Sequence, residues 1–476
     1  MKLHRLVAVA AIISTQLPAA SASADNESQD IKALLRRIEE LDQKVKILER
    51  NRELDREAAE TKAKAAPNIT IGDKGFAFSS ADGNFALKLR GVLQADSRTF
   101  FADHGIAAND GFLLRRLRPI IEGTVFRDFD FLFMTDFGGG TAAGASAPVV
   151  QDAYLNYRHQ PELQLRVGKF KTPFGLELLQ SNRDTWFNER ALPTTLVPNR
   201  DLGVQLHGEV FDGRLNYQAG LFNGVGDNRN SLNADTDDSK EFVGRVILQP
   251  FKKSGPPALQ GFGFGLAGSY QNDHPAAANT ANSLGNFPTD GQQQYFAYNP
   301  TGGATVVANG EHWRLSPQGY YFNGPFGLFG EYVISNQRVS RAGAAPLISR
   351  RLENTAWQIS AAWILTGEEA TYKSLVPAKP FSFSDGGWGA WQLAARYAQL
   401  DIDNAAFPNF ANPATSASGA RAWSLGLNWF LNRNVLVKAS FSRTTFDGDG
   451  GAGAAAPAAV TRQPENVLFT RVQLAF

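Results

Sequence analysis

The chain has 476 residues, with 47 Lys plus Arg against 46 Asp plus Glu, so no general basic excess suits it to coating nucleic acid. It contains no cysteine, which excludes disulfides, zinc ribbons, iron–sulfur clusters and thiol nucleophiles, and its six histidines form no metal-type pair. Hydrophobic residues make up 43%, too many for a disordered chain, yet no segment after the N-terminus offers the run of about 18 apolar residues that a membrane helix needs.

Residues 1–24 read as a secretory signal peptide. Lys2 and Arg5 form a basic start, 6–13 a short apolar core, and Ala22-Ser23-Ala24 a small-residue cleavage site. The apolar run is short for an uncleaved anchor. The mature chain is therefore expected to be exported and to begin at Asp25.

From Gln29 to Lys64 there is neither Gly nor Pro. Ile31, Leu34, Ile38, Leu41, Val45 and Leu48 step by three and four, a heptad with β-branched residues at a and Leu at d. A helix over 25–66 cannot bury this stripe on itself, so it is expected to self-associate as a coiled coil; docking on its own domain is the alternative. About three heptads are marginal alone. The seam nominally favours dimers, but a body that trimerises would override it. Pro67 stops the helix, and 67–83 reads as a linker.

Beyond it the period changes to two. Phe85, Leu87, Leu89, Leu93 and Ala95 share one face of a strand; Lys88, Arg90, Gln94 and Asp96 share the other. The last residues repeat this, with Leu468, Val472, Leu474 and Phe476 opposite Arg471 and Gln473. Between lie runs near 111–125, 129–137, 150–158, 162–170, 203–211, 214–222, 240–249, 260–270, 309–321, 325–338, 352–364, 387–401, 418–430 and 434–446. The total is about sixteen, as in large outer-membrane barrels. Connections alternate between short ones, such as Asp212-Gly213 and Asn323-Gly324, and long ones, such as 171–202 and 271–308. Near 250–259 and 366–386 the short side carries two longer connections.

So many strands enclose a lumen too wide for side chains to fill. The charged faces should then line water and the apolar faces meet lipid, with Phe211, Tyr270, Trp313, Tyr332, Trp363, Trp391, Trp429 and Phe476 near strand ends as interfacial girdles. The predicted fold is all-β: a sixteen-stranded antiparallel transmembrane β-barrel over 84–476 with an N-terminal coiled-coil helix. The expected location is the outer membrane of a Gram-negative bacterium, with lipid as one partner.

The run FLLRRLRPIIEGTVFRDFDFLFMTDFGGG, then VQDAYLNYRHQPELQLRVGKFKTPFGLE, FNERAL and PNRDLGVQLHG, resembles the phosphate-selective porin O and P family. Leu365-Thr366-Gly367-Glu368 and LGLNWFLNRNVLVKASF extend the likeness, which covers nearly all of 84–476. It implies a trimeric channel passing small anions such as phosphate or polyphosphate down a positively lined lumen. It places the coiled coil in the periplasm. The sequence has no GxSxG and no phosphate-cradling P-loop, so neither catalysis nor a cofactor is expected.

The resemblance also implies site residues. The family's central arginine pair matches Arg115 and Arg116, whose guanidinium forks suit phosphate oxygens. Adjacent strand residues face opposite sides, so both reach the lumen only if Arg115 lies at a bulge or strand end. Arg118 shares Arg116's parity and extends a basic stripe. The family's nearby carboxylate matches Asp152. Lys74, Lys88 and Arg90 resemble parts of a basic ladder, to which Arg166 and Arg245 add charge. One departure stands out: where phosphate-selective members place a lysine after GLE, this chain has Leu178. Lys169 and Lys171 lie nearby in sequence, with directions open by one residue. Loop 171–202, rich in Phe, Leu and Trp, reads as a constriction loop folded into the pore; a subunit-contact loop is the alternative. Carboxylate pairs near Arg190 and Asp201 read as ordinary loop charges.

A less selective diffusion porin and an envelope-tethering barrel are the competing functions. No nucleic-acid partner is expected.

Overall fold

The computed structural model describes residues 24–101, 109–138, 148–235, 238–275, 284–299, 305–341, 348–448, 450 and 462–476. The leader expected over 1–24 falls outside the described residues but for Ala24. The chain divides near Ala66 into two units.

The first is the helix α1, Ala24–Ala65. Its seam residues Ile31, Leu34, Ile38, Leu41, Val45 and Leu48 are all 48–66% exposed. The opposite faces carry i,i+4 ion pairs, Asp42–Lys46 at 2.8 Å and Glu60–Arg56 at 3.1 Å, and Lys62 and Lys64 complement the helix dipole in the last turn. No helix among the described residues is long and apolar enough to cross a membrane.

The second unit is built of strands: β1 (Asn68–Gly72), β2 (Gly75–Ser79), β3 (Ala86–Phe101), β4 (Gly111–Val125), β5 (Phe129–Asp136), β6 (Val149–Gln160), β7 (Leu163–Lys171), β8 (Arg200–Val210), β9 (Leu215–Phe222) and β10 (Glu241–Leu248). There follow β11 (Phe262–Asp273), β12 (Asn286–Pro288), β13 (Gln294–Ala297), β14 (Val306–Asn323), β15 (Phe326–Arg341), β16 (Ile348–Ile364), β17 (Ala390–Asp401), β18 (Gly419–Phe430), β19 (Val435–Asp447) and β20 (Glu465–Ala475). From β3 to β20, leaving aside the small hairpin β12–β13, each strand pairs antiparallel with the next. β20 then pairs with β3, Ala475 opposite Val92 and Asn466 opposite Phe101. The result is a closed sixteen-stranded barrel with no free edge along its wall.

Alternation decides which side is wet. On β18, Trp423, Leu425 and Leu427 point outward at 39–52% exposure, while Ser424 and Asn428 are buried inside. On β20, Val472 and Leu474 lie outside, and Arg471 and Gln473 inside. This inverts the soluble pattern and leaves an apolar belt around a polar interior. Aromatic rings gather at the short-turn end: Trp391 stacks on Trp429 at 5.1 Å, and Phe326 meets Trp363 at 6.2 Å. At two turns there, 126–127 and 211–212, both residues take positive φ, matching the twist of the flanking strands.

Residues 67–83 are not a plain linker. Ile69, Ile71, Phe76 and Phe78 alternate with smaller and polar residues, and β1 and β2 form a hairpin whose Phe76 pairs with Leu89 and whose Ile71 pairs with Phe76. β2 thus continues along β3 where β20 ends at Phe476. Phe476 exchanges both backbone hydrogen bonds with Gly91 (3.1 and 3.2 Å), and a Cβ on Gly91 would lie 2.9 Å from the Phe476 ring.

Candidate functional site: an arginine passage beside the inward loop

The connection between β7 and β8, residues 172–199, folds into the lumen. Phe174, Leu176, Leu178, Trp186, Phe187, Leu192 and Leu196 on it are each at most 4% exposed, in clusters with residues of the wall. Burying such side chains contributes roughly 1.5–3 kcal/mol each, which explains why so apolar a loop turns inward. Polar contacts fix it. The Glu331 carboxylate accepts from the backbone N–H groups of Leu176 (2.7 Å) and Glu177 (3.2 Å) at the start of the short helix α2, Leu176–Leu179. Arg396 donates to the carbonyl of Glu189 at 2.9 Å, lies over the Phe187 ring at 4.4 Å and pairs with Asp290 at 2.7 Å. The loop therefore seals against β14–β19 and leaves space on the side of β4–β8.

That space is two adjoining cavities of about 300 and 280 Å³, which share Arg118, Asn182 and Arg200. Nine cations line them: Arg90, Arg115, Arg116, Arg118, Arg166, Lys171, Arg183, Arg190 and Arg200. The carboxylates are Asp136, Asp152 and Glu189. Positive charge outnumbers negative threefold inside a narrow, low-dielectric wall, where fields are focused.

The pairing of β3 with β4 slips between Gln94 and Ala95: Arg116 faces Gln94, Leu114 faces Ala95, and Arg115 is left over as a bulge. Both arginines thereby reach the lumen. Arg115 is held by Glu189, Nε to Oε1 at 2.6 Å and an Nη to Oε2 at 2.9 Å. Arg116 donates to Gln94 Oε1 at 2.7 Å and pairs with no carboxylate among the described residues. Arg118 pairs with Asp136 at 2.7 Å. Burial pushes the Glu189 carboxyl up, but Arg115, Arg116 and Arg98 outweigh it and hold it well below the ordinary range.

The remaining predicted residues divide. Arg90 pairs with Glu122 at 2.9 Å and lines the second cavity. Lys88 reaches the same Glu122 at 3.4 Å and lines neither cavity. Arg166 lies over Tyr154 at 4.5 Å. Lys171 donates to the carbonyls of Leu178 (2.6 Å) and Gln180 (2.8 Å), so it braces the loop as well as lining the passage. Lys169 is drawn aside to the Ser231 carbonyl at 2.8 Å, and Arg245 lies beyond the loop in another cavity. Lys74 is exposed in the β1–β2 turn. Asp152 does not hold the arginine pair; it holds Arg200, at 3.1 and 3.2 Å.

Sequence reasoning missed Arg183, Arg200, Asp136 and Glu189. It read the carboxylates near Arg190 as ordinary loop charges and gave Arg190 no role, whereas Arg190 lines the passage and donates to the carbonyls of Glu177 (3.1 Å) and Gln180 (2.7 Å). The apolar character of the loop was the signal that its charges would be carried inward.

The sequence profile of the phosphate-selective porin O and P family matches residues 85–476. The chain belongs to this family. It is an outer-membrane porin, a channel-forming protein. A curated relative, Porin O of Pseudomonas aeruginosa, is 25% identical over 404 residues, 80% of this chain and 88% of that protein. Among solved structures, the outer membrane channel DcaP of Acinetobacter baumannii superposes with a TM-score of 0.52 at 10% identity, covering 83% of this chain and 98% of that one. OmpT of Vibrio cholerae gives 0.50 at 11% identity, over 83% and 98%. These two establish the porin's fold alone.

Proposed function

We propose that this porin passes small anions, phosphate among them, by diffusion through the passage between β4–β8 and the inward loop. It is an outer-membrane anion porin, as its family membership implies. The observation that carries the route is the excess of guanidinium over carboxylate along it, with Arg116 and Arg190 free of ion pairs among the described residues. An anion entering there exchanges water for charge-assisted hydrogen bonds, and spaced cations let it leave as well as enter. In this reading Arg116, Arg190, Arg118, Arg166 and Arg90 contact the anion, Arg115 is oriented by Glu189, and Lys171 shapes the loop.

The short turns face the periplasm, the apolar belt meets outer-membrane lipid, and the porin works as a homotrimer whose helices bundle on the periplasmic side. The exposed seam of α1 supports self-association. Leu178 favours a second reading, a less selective diffusion porin, because the cation expected there is missing.

Reversal potentials across planar bilayers under a salt gradient, with phosphate titrated in, test the proposal. Anion preference and saturable phosphate inhibition of the chloride current are expected. Cation preference without inhibition overturns it; anion preference without inhibition favours the second reading. Deleting 25–66 separates tethering from conduction.

A further inference from the structure

Across the inward loop from the arginine passage lies a cavity of about 480 Å³ that shares no lining residue with it. Arg245 of β10 projects there, facing Tyr320 and Phe322 of β14, Tyr372 of the β16–β17 connection and Leu176 of the loop, with Glu209 also on the lining. We propose that this cavity is a second ligand site, for a small organic monoanion with a flat apolar body, such as an aromatic monocarboxylate.

Three features carry this. The Arg245 Nε donates to Gln318 Oε1 at 2.9 Å, which fixes the plane of the guanidinium. Its terminal nitrogens have no hydrogen-bond partner and no carboxylate partner among the described residues. A carboxylate can take the open edge of that fork in bidentate fashion. Next, the rings form a wall: Tyr320 and Tyr372 lie 6.4 Å apart at 33°, and Tyr320 and Phe322 5.6 Å apart at 39°. Aromatic ligands gain from offset or edge contacts with such rings, whereas strongly hydrated inorganic phosphate gains nothing from them. Last, the wall is pre-set. The Tyr372 hydroxyl donates to the Leu176 carbonyl, Gln180 donates to the Tyr372 carbonyl at 2.8 Å, and the Ala370 N–H donates to the Gly324 carbonyl at 2.7 Å. This gives the long connection after β16, one of two on the short-turned rim, a role: it folds in against the loop and completes the cavity. One cation with Glu209 on the same lining suits a single negative charge and disfavours a dianion.

The test follows benzoate binding to the full-length, detergent-solubilised protein by isothermal titration calorimetry, and separately the block of the reconstituted channel's chloride current by inorganic phosphate. Wild type should bind benzoate saturably. R245Q should raise the benzoate dissociation constant at least tenfold with phosphate block unchanged. Y320L should raise it several-fold and decides the matter if R245Q yields no folded protein. R116Q should weaken phosphate block and keep benzoate binding. The proposal is overturned if wild type shows no saturable benzoate binding. It also falls if R245Q, or Y320L where R245Q does not fold, binds benzoate like wild type, or if benzoate binding disappears with R116Q. Phosphate reading and benzoate site fail separately, because each has its own variant and its own readout.

Discussion

Glu189, on the inward loop, grips Arg115, on the wall, with two hydrogen bonds of 2.6 and 2.9 Å, while Arg98 at 3.3 Å and Arg471 at 3.7 Å approach the same carboxylate. One loop anion thus gathers three wall cations, fastening the loop and neutralising part of the passage. E189Q should shift reversal potentials toward anions and lower the heat resistance of the folded barrel. Removing one partner of a buried pair costs about 3–5 kcal/mol. Because its neighbours depress the Glu189 pKa, the ion pair is complete above the unfolded carboxylate value and is lost only as pH falls through the lower folded value. Wild-type selectivity should therefore not change from this group between neutral pH and the ordinary carboxylate range. Unchanged selectivity in E189Q would show that Glu189 has no electrostatic part in conduction.

Arg116 is the arginine of the pair that no carboxylate claims among the described residues. A hydrogen bond to a charged group contributes about 1.5–3 kcal/mol, so R116Q should weaken phosphate block by roughly ten- to a hundredfold. R115Q should cost less, since Arg115 is already committed to Glu189. Current inhibition by phosphate, measured on both variants at one salt concentration, checks the order; the reverse order would give Arg115 the leading part.

Attraction by spaced cations is screened by salt. The Debye length is about 10 Å at 0.1 M and about 3 Å at 1 M. Anion preference should fall several-fold over that range as measured by reversal potential. Selectivity independent of salt would point to sieving by size instead.

The outer face makes an independent claim. Leu425 sits midway along β18 at 52% exposure, opposite Ala395 and Phe441. L425R should destabilise the barrel by about 2–4 kcal/mol in urea titrations of vesicle-refolded protein. L89R should cost only about 0–1 kcal/mol, because Leu89 lies near the rim, beside the β2 hairpin. Equal costs would contradict the placement of the belt.

The barrel was legible because period-two strands with charged and apolar faces repeat along the whole chain, and loop lengths alternate with them. The heptad likewise announced a helix, found here from Ala24 to Ala65. The site was legible only where wall parity decides it. Arg116 and Arg118 follow from parity, and Arg115 needed a bulge that no single-strand pattern reveals. Arg190 and Glu189 depend on how 172–199 folds back, and Arg200 on where that loop re-enters the wall. The segment 67–83 was misread because Ile69 to Phe78 alternate over two strands of only five residues each, too short to stand out.

Leu178 stands where the family resemblance leads one to expect a lysine, and its surroundings explain what a cation there would do. Its side chain is 3% exposed and packs in the cluster of Phe174, Ala191 and Val197, yet it lines the same cavity as Arg116 and Arg190. Its carbonyl already accepts from Lys171 at 2.6 Å, so the backbone is held independently of the side chain. In L178K the ammonium can reach the cavity while its stem keeps part of the apolar contact. Stability should fall by about 1.5–3 kcal/mol from the lost leucine packing. Anion preference should nevertheless rise, and half-block by phosphate should move to several-fold lower concentration. A variant that is less stable but no more selective would mark Leu178 as a core residue with no bearing on the passage.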